Sequence, residues 1–143
     1  MNLDNLNLKT FTEQDALDYC LLNNINFNNI TVLNLNNNEL TDISGIKLFK
    51  NLENLLLFNN KIKNLTFLKN LKNIKQLEIG YTEIKDLSLI PENLEYLGLN
   101  NLKLNKKSFE LIINKKPLIL ACKQTFNLSE IKIFENLGIN CLY

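Results

Sequence analysis

The chain has 143 residues, 45% hydrophobic but only 8% aromatic and with no tryptophan, which is the size of one domain with a core drawn from leucine and isoleucine. A formal net charge of +1 excludes a global field for nucleic acid or membranes, and the absence of histidine excludes Ser-His-Asp and Cys-His catalysis. Cys20, Cys122 and Cys141 have no metal-binding spacing and the four glycines form no phosphate loop, so no metal, cofactor or catalytic residue is expected.

The N-terminus, Met1-Asn2-Leu3-Asp4, is polar and has no basic segment followed by an apolar run. Nor does any stretch approach the ~20 apolar residues of a membrane span. A cytoplasmic protein with reduced thiols is expected. A first strand is predicted at Asn5–Leu8, where Leu6 and Leu8 alternate with polar residues. Thr12-Glu13-Gln14-Asp15 then reads as a helix start with Thr12 as cap. That helix should run to about Leu22 and bury Ala16, Leu17, Cys20 and Leu21.

From Ile30 the sequence repeats every 22 residues. Ile30-x-x-Leu33-x-Leu35-x-x-Asn38-x-Leu40-x-x-Ile43 returns as Leu52-x-x-Leu55-x-Leu57-x-x-Asn60-x-Ile62-x-x-Leu65. It returns again as Ile74-x-x-Leu77-x-Ile79-x-x-Thr82-x-Ile84-x-x-Leu87. A fixed period of this length predicts a solenoid whose turns stack only on their neighbours. The Leu-x-Leu core of each copy has period 2 and reads as a short strand. Strands are predicted at Val32–Leu35, Asn54–Leu57, Gln76–Ile79, Tyr96–Leu99, Pro117–Ala121 and Ile139–Leu142. Leu33, Leu35, Leu55, Leu57, Leu77, Ile79, Leu97 and Leu99 should point inward.

Asn38 and Asn60 stand where the chain leaves the strand, so their amides should bond the backbone of their own and adjoining turns. Thr82 does part of this, whereas Leu102 ends the ladder, and the turn after Leu99 should differ. Apolar residues three apart, as in Leu40-x-x-Ile43-x-x-Ile46, predict tight helical turns on the outer side. Short helices follow at Ser108–Ile113 and Ser129–Asn136, the second stopped by Gly138. The whole, 1–143, reads as one domain: a capping repeat over 1–29, regular repeats over 30–104 and irregular repeats over 105–143.

These residues resemble the leucine-rich repeat superfamily, in the 22-residue class of bacterial internalins and the leucine-rich regulatory subunit of protein phosphatase one. Leu40-Thr41-Asp42-Ile43-Ser44-Gly45-Ile46 is very like the internalin repeat. The resemblance is strong from Phe27 to about Leu104 and weaker on both flanks. It implies an α/β solenoid with one curved parallel sheet of about six to seven short strands, and short helices and 3-10 turns on the convex face. It also implies a non-catalytic module that binds a protein, as an inhibitor, an immunity-type partner or an adaptor.

On the concave face most outward residues are small and polar, but Leu56, Phe58, Tyr81 and Tyr96 are not. On turns about 5 Å apart they form one expected protein-binding patch, with Glu78 and Asn100 at its rim. The alternative is binding of nucleic acid or another anionic surface through Lys103, Lys106, Lys107, Lys115 and Lys116 in the segment Lys103–Lys123. That segment lacks arginine and interleaved aromatics. The last strand carries apolar Ile139, Cys141 and Leu142 and is a candidate edge for pairing with a second copy of the chain or with the partner.

Overall fold

The computed structural model describes residues 1–92 and 94–143. Six strands, β1 (Val32–Asn34), β2 (Asn54–Leu56), β3 (Gln76–Glu78), β4 (Tyr96–Gly98), β5 (Ile119–Ala121) and β6 (Asn140–Leu142), form one sheet in chain order. Every neighbouring pair is parallel. Leu33, Leu55, Leu77, Leu97, Leu120 and Cys141 are equivalent across the register. This is a leucine-rich-repeat solenoid. The strands are three residues each, shorter than the alternation suggests, because the backbone turns away two residues beyond each inward leucine pair. There Asn37, Asn59, Tyr81, Asn101 and Gln124 all adopt left-handed backbone, with φ of 52°, 56°, 54°, 58° and 60°.

All eight predicted core residues are fully buried. Each buried leucine contributes roughly 1.5–3 kcal/mol. The outer connections are 3-10 turns at Ser44–Leu48 and Thr66–Asn70 and α-helices towards the ends: α1 (Glu13–Leu22), α2 (Lys106–Lys115) and α3 (Leu128–Asn136). No described helix is long and apolar enough to cross a membrane. The core is aliphatic in its middle only. Phe11 stacks on Phe49 near the N-terminus, and Phe109, Phe126 and Phe134 cluster beneath α2 and α3. Aliphatic side chains alone therefore do not fill it: aromatics take part towards both ends.

Two N-terminal expectations are overturned. Asn5–Leu8 is not a strand, since Asn5 and Asn7 have φ of 58° and 55° and Leu6 is exposed. Met1–Leu3 lies beside β1 instead. The Asn34 amide donates to the Met1 carbonyl at 3.0 Å, and the Leu3 amide to the Asn34 carbonyl at 2.8 Å. Leu3 is the buried counterpart of Leu35. Helix α1 begins as expected, with Thr12 and Asp15 capping one another. It buries only Ala16 and Cys20, however, while Leu17 is 41% and Leu21 81% exposed. The reason is close approach. Helix α1 packs against the Ser44–Leu48 turn, where a Cβ on Gly45 would stand 2.8 Å from the Phe11 carbonyl oxygen. Only small side chains fit there, and the leucine stripe is turned to solvent.

The C-terminal helices start earlier than the apolar pattern suggests, because asparagines cap them. Asn105 accepts the Ser108 amide at 3.0 Å, and Asn127 forms a capping box with Glu130. Gly138, at φ 83°, follows the end of α3.

Candidate functional site

The strand exits are held by side chains. The Asn38 carbonyl accepts the Leu6 and Leu8 amides at 3.1 and 3.0 Å, while its NH2 donates to the carbonyls of Leu3, Leu35 and Asn36. Asn60 accepts the Leu40 amide at 3.1 Å and donates to Leu35, Leu57 and Phe58. The Thr82 hydroxyl donates to the Ile79 carbonyl at 2.7 Å. Leu102 has no polar side chain, and Thr125 of the next turn serves the gap. Its hydroxyl donates to the Leu99 carbonyl at 2.5 Å and accepts the Leu102 amide at 3.3 Å. Thr125 is itself the counterpart of Asn38, five residues after the inward Leu120, and was legible as Leu120-x-Cys122-x-x-Thr125.

With its backbone so fixed, the sheet presents an open face. Phe58 lies against Tyr81 with ring centroids 4.9 Å apart. Tyr81, 41% exposed, occupies a left-handed turn position where the other turns carry asparagine or glutamine. A bulky aromatic in that backbone region is strained, at a cost on the order of 1–3 kcal/mol. Leu56, Phe58 and Tyr96 are half-buried and, with Asn36 and Gln76, line a hollow around Glu78. Tyr81 lines a separate, more polar groove with Asn37, Asn59 and Lys61, so Phe58 stands between the two depressions.

Glu78 is not at a rim. It is only 8% exposed, on the floor of the hollow, and it is the one charged residue in any of the six strands. Two glycines make room for it. A Cβ on Gly98 would collide with the Glu78 carboxylate, and one on Gly80 would stand 2.8 Å from its Oε1. One carboxylate oxygen accepts the Gly80 amide and the other the Tyr96 hydroxyl, each at 2.7 Å. Burial first, and then the bond to Glu78, raises the Tyr96 phenol above its ordinary range, so it remains a donor at neutral pH. Among the described residues no cation pairs with Glu78: the five ion pairs are Lys47–Glu13, Lys61–Glu39, Lys63–Glu83, Lys75–Glu53 and Lys115–Glu92. Burying an unpaired carboxylate costs several kcal/mol, which hydrogen bonds offset only in part.

Asn100 also has work within the fold, since its carbonyl accepts the Lys123 amide of the next turn at 2.7 Å. Asn36 does the same for Phe58 at 2.8 Å. The lysines of the alternative basic segment are spread along α2. Lys106 and Lys107 are in its first turn, Lys115 is paired with Glu92 in its last, and Lys103 and Lys116 flank it. Lys107 also lies near Asp86. The cysteine thiols are held protonated: burial, followed by neighbouring Cys141, raises Cys122 to about 12, and burial raises Cys20 and Cys141 as well.

No family model and no curated protein matches the sequence. Among solved structures the chain is similar to internalin C2 from Listeria monocytogenes, with 20% identity and a TM-score of 0.45 over 82% of this chain and 75% of that one. The leucine-rich-repeat architecture rests on the register of the six strands and on the ladder, not on this likeness.

Proposed function

We propose that the protein is a non-catalytic binding module whose concave sheet face, centred on Leu56, Phe58, Tyr81 and Tyr96, docks a protein partner. The observation that carries this reading is Tyr81. A neutral amide is the low-strain choice at its turn position, as at Asn37, Asn59 and Asn101, yet an exposed aromatic stands there against Phe58. Tyr81 is exposed and is not among the side chains packed against the core. Rigid, exposed aromatics beside aliphatic surface are the usual anchors of protein interfaces. Glu78 belongs to the floor of this site, and Asn100 supports its backbone. With this face as its recognition surface, the module acts by occupying or bridging its partner.

The test is affinity capture from lysate of the source organism with wild type and a Phe58→Ala/Tyr81→Ala double variant. The double variant should lose the captured partner while its melting temperature stays within a few degrees of wild type. A large fall in melting temperature with binding lost in proportion identifies these side chains as structural and removes the reading.

A further inference from the structure

Glu78 does more than the fold asks of it. Its bond to Gly80 is a turn-closing contact from a strand residue to the backbone two positions on. The equivalent contact in the first regular turn is made by Asn34, whose side-chain oxygen accepts the Asn36 amide at 3.0 Å. A neutral amide therefore performs this task in the same solenoid, without burying a charge. At position 78 there is instead a carboxylate, the only charge in six strands, in space cleared by Gly80 and Gly98 and, among the described residues, with no cation paired to it. Around Glu78 the hollow is lined by Leu56, Phe58 and Tyr96, an aliphatic surface and two aromatic rings, together with the side chains of Asn36 and Gln76.

We infer that this hollow seats an arginine side chain of the protein partner, its guanidinium paired with Glu78 and its stem lying along Leu56 and Phe58. The inference rests on the concave-face reading and adds the chemistry of the partner to it. Charge complementarity selects a cation: the buried carboxylate has one acceptor position already used on each oxygen and a further lone pair on each. A planar fork with two parallel donors matches two such oxygens, and it stacks on aromatic rings. An ammonium group is more strongly hydrated and gives up more on leaving water for the hollow. Tyr96, donating to Glu78, holds the carboxylate in one orientation before the partner arrives.

The test uses three short peptides, acetyl-Gly-Arg-Gly-amide and its lysine and citrulline counterparts, titrated at millimolar concentration into the whole isotope-labelled protein. The Gly80 and Gly98 amide resonances report on the hollow. The arginine peptide should shift both saturably, the lysine peptide should shift them less, and uncharged citrulline should leave them unmoved. Glu78→Gln keeps an acceptor for the Gly80 amide and should abolish the arginine response. Absence of a saturable shift, an equal shift from citrulline, a stronger response to lysine, or an undiminished response in Glu78→Gln each overturns the proposal. If Glu78→Gln does not fold, the citrulline comparison on wild type decides alone. Loss of partner capture by Phe58→Ala/Tyr81→Ala together with unmoved Gly80 and Gly98 resonances leaves the concave-face reading standing and removes only the arginine.

Discussion

Asn38 makes five side-chain hydrogen bonds at its strand exit and Asn60 makes four, whereas Thr82 makes one and Thr125 two. The geometry of the solenoid changes at the same place. Val32, Asn54 and Gln76 are equivalent and 22 residues apart across the two asparagine turns. The later equivalents, Tyr96, Ile119 and Asn140, follow at 20, 23 and 21 residues. The outer connections change too, from 3-10 turns after the asparagines to α-helices after Leu102 and Thr125. A buried amide carries donors and an acceptor at once, so it bonds its own turn and the one before it. The Thr82 hydroxyl bonds its own turn alone, and past it the spacing varies.

The largest expected effect breaks the ladder where it is strongest. Asn60→Ala strands the Leu40 amide and the Leu57 carbonyl in the core, at about 1–3 kcal/mol for each group left unpaired, while the Leu35 carbonyl keeps its bond from Asn38. Relaxation should limit the total to about 3–5 kcal/mol in chemical denaturation. Thr125→Val should lose about 1–3 kcal/mol, the net worth of two hydrogen bonds, since the Leu99 carbonyl and Leu102 amide still bond one another at 3.2 Å. Equal losses would mean that the two kinds of turn are held alike. Leu57→Ala, which opens a cavity beside Asn60, should cost about 2–5 kcal/mol by the same measurement.

How much of this was legible follows from the same contrast. Where the Asn-bearing repeat is regular, the sequence pattern predicts register, inward leucines and outer turns together, because one period aligns all three. At the N-terminus the pattern misleads. Leu6 and Leu8 imitate the Leu-x-Leu of a strand, while the true partner of Leu35 is Leu3, and left-handed Asn5 and Asn7 carry the chain around the intervening turn. Burial on α1 was not legible because Ala16/Cys20 and Leu17/Leu21 are adjacent stripes with the same spacing. What selects the smaller pair is the close backbone at Gly45, a tertiary fact. The outward phase of Leu56, Phe58, Tyr81 and Tyr96 was visible from alternation, whereas the burial of Glu78 was not. Its signal was the pair Gly80 and Gly98 on neighbouring turns, which acquires meaning only once strand register places both against one side chain.

Smaller effects sharpen the contrast between Glu78 and its neutral counterpart Asn34. Gly98→Ala puts a methyl group into the carboxylate and should cost about 1–3 kcal/mol. Adding Glu78→Ala to it should restore much of that loss, a non-additivity that a double-mutant cycle reads directly. Smallest is the alkaline limb contributed by Tyr96. Its folded-state pKa lies above the unfolded value of about 10, so its stabilisation is present below that pH and fades as pH rises through the folded value. Allowing for its half-exposed ring, Tyr96→Phe should flatten the decline by about 1 kcal/mol or less near pH 11.

The central claim is that the charge of Glu78 serves a partner and not the fold. The direct measurement is the thermal melt of Glu78→Gln at neutral pH beside wild type and Asn60→Ala. Glutamine keeps an acceptor for the Gly80 amide and removes a buried charge, so its melting temperature should equal or exceed that of wild type. A fall approaching that of Asn60→Ala would show that the fold itself requires the carboxylate, and would contradict the claim.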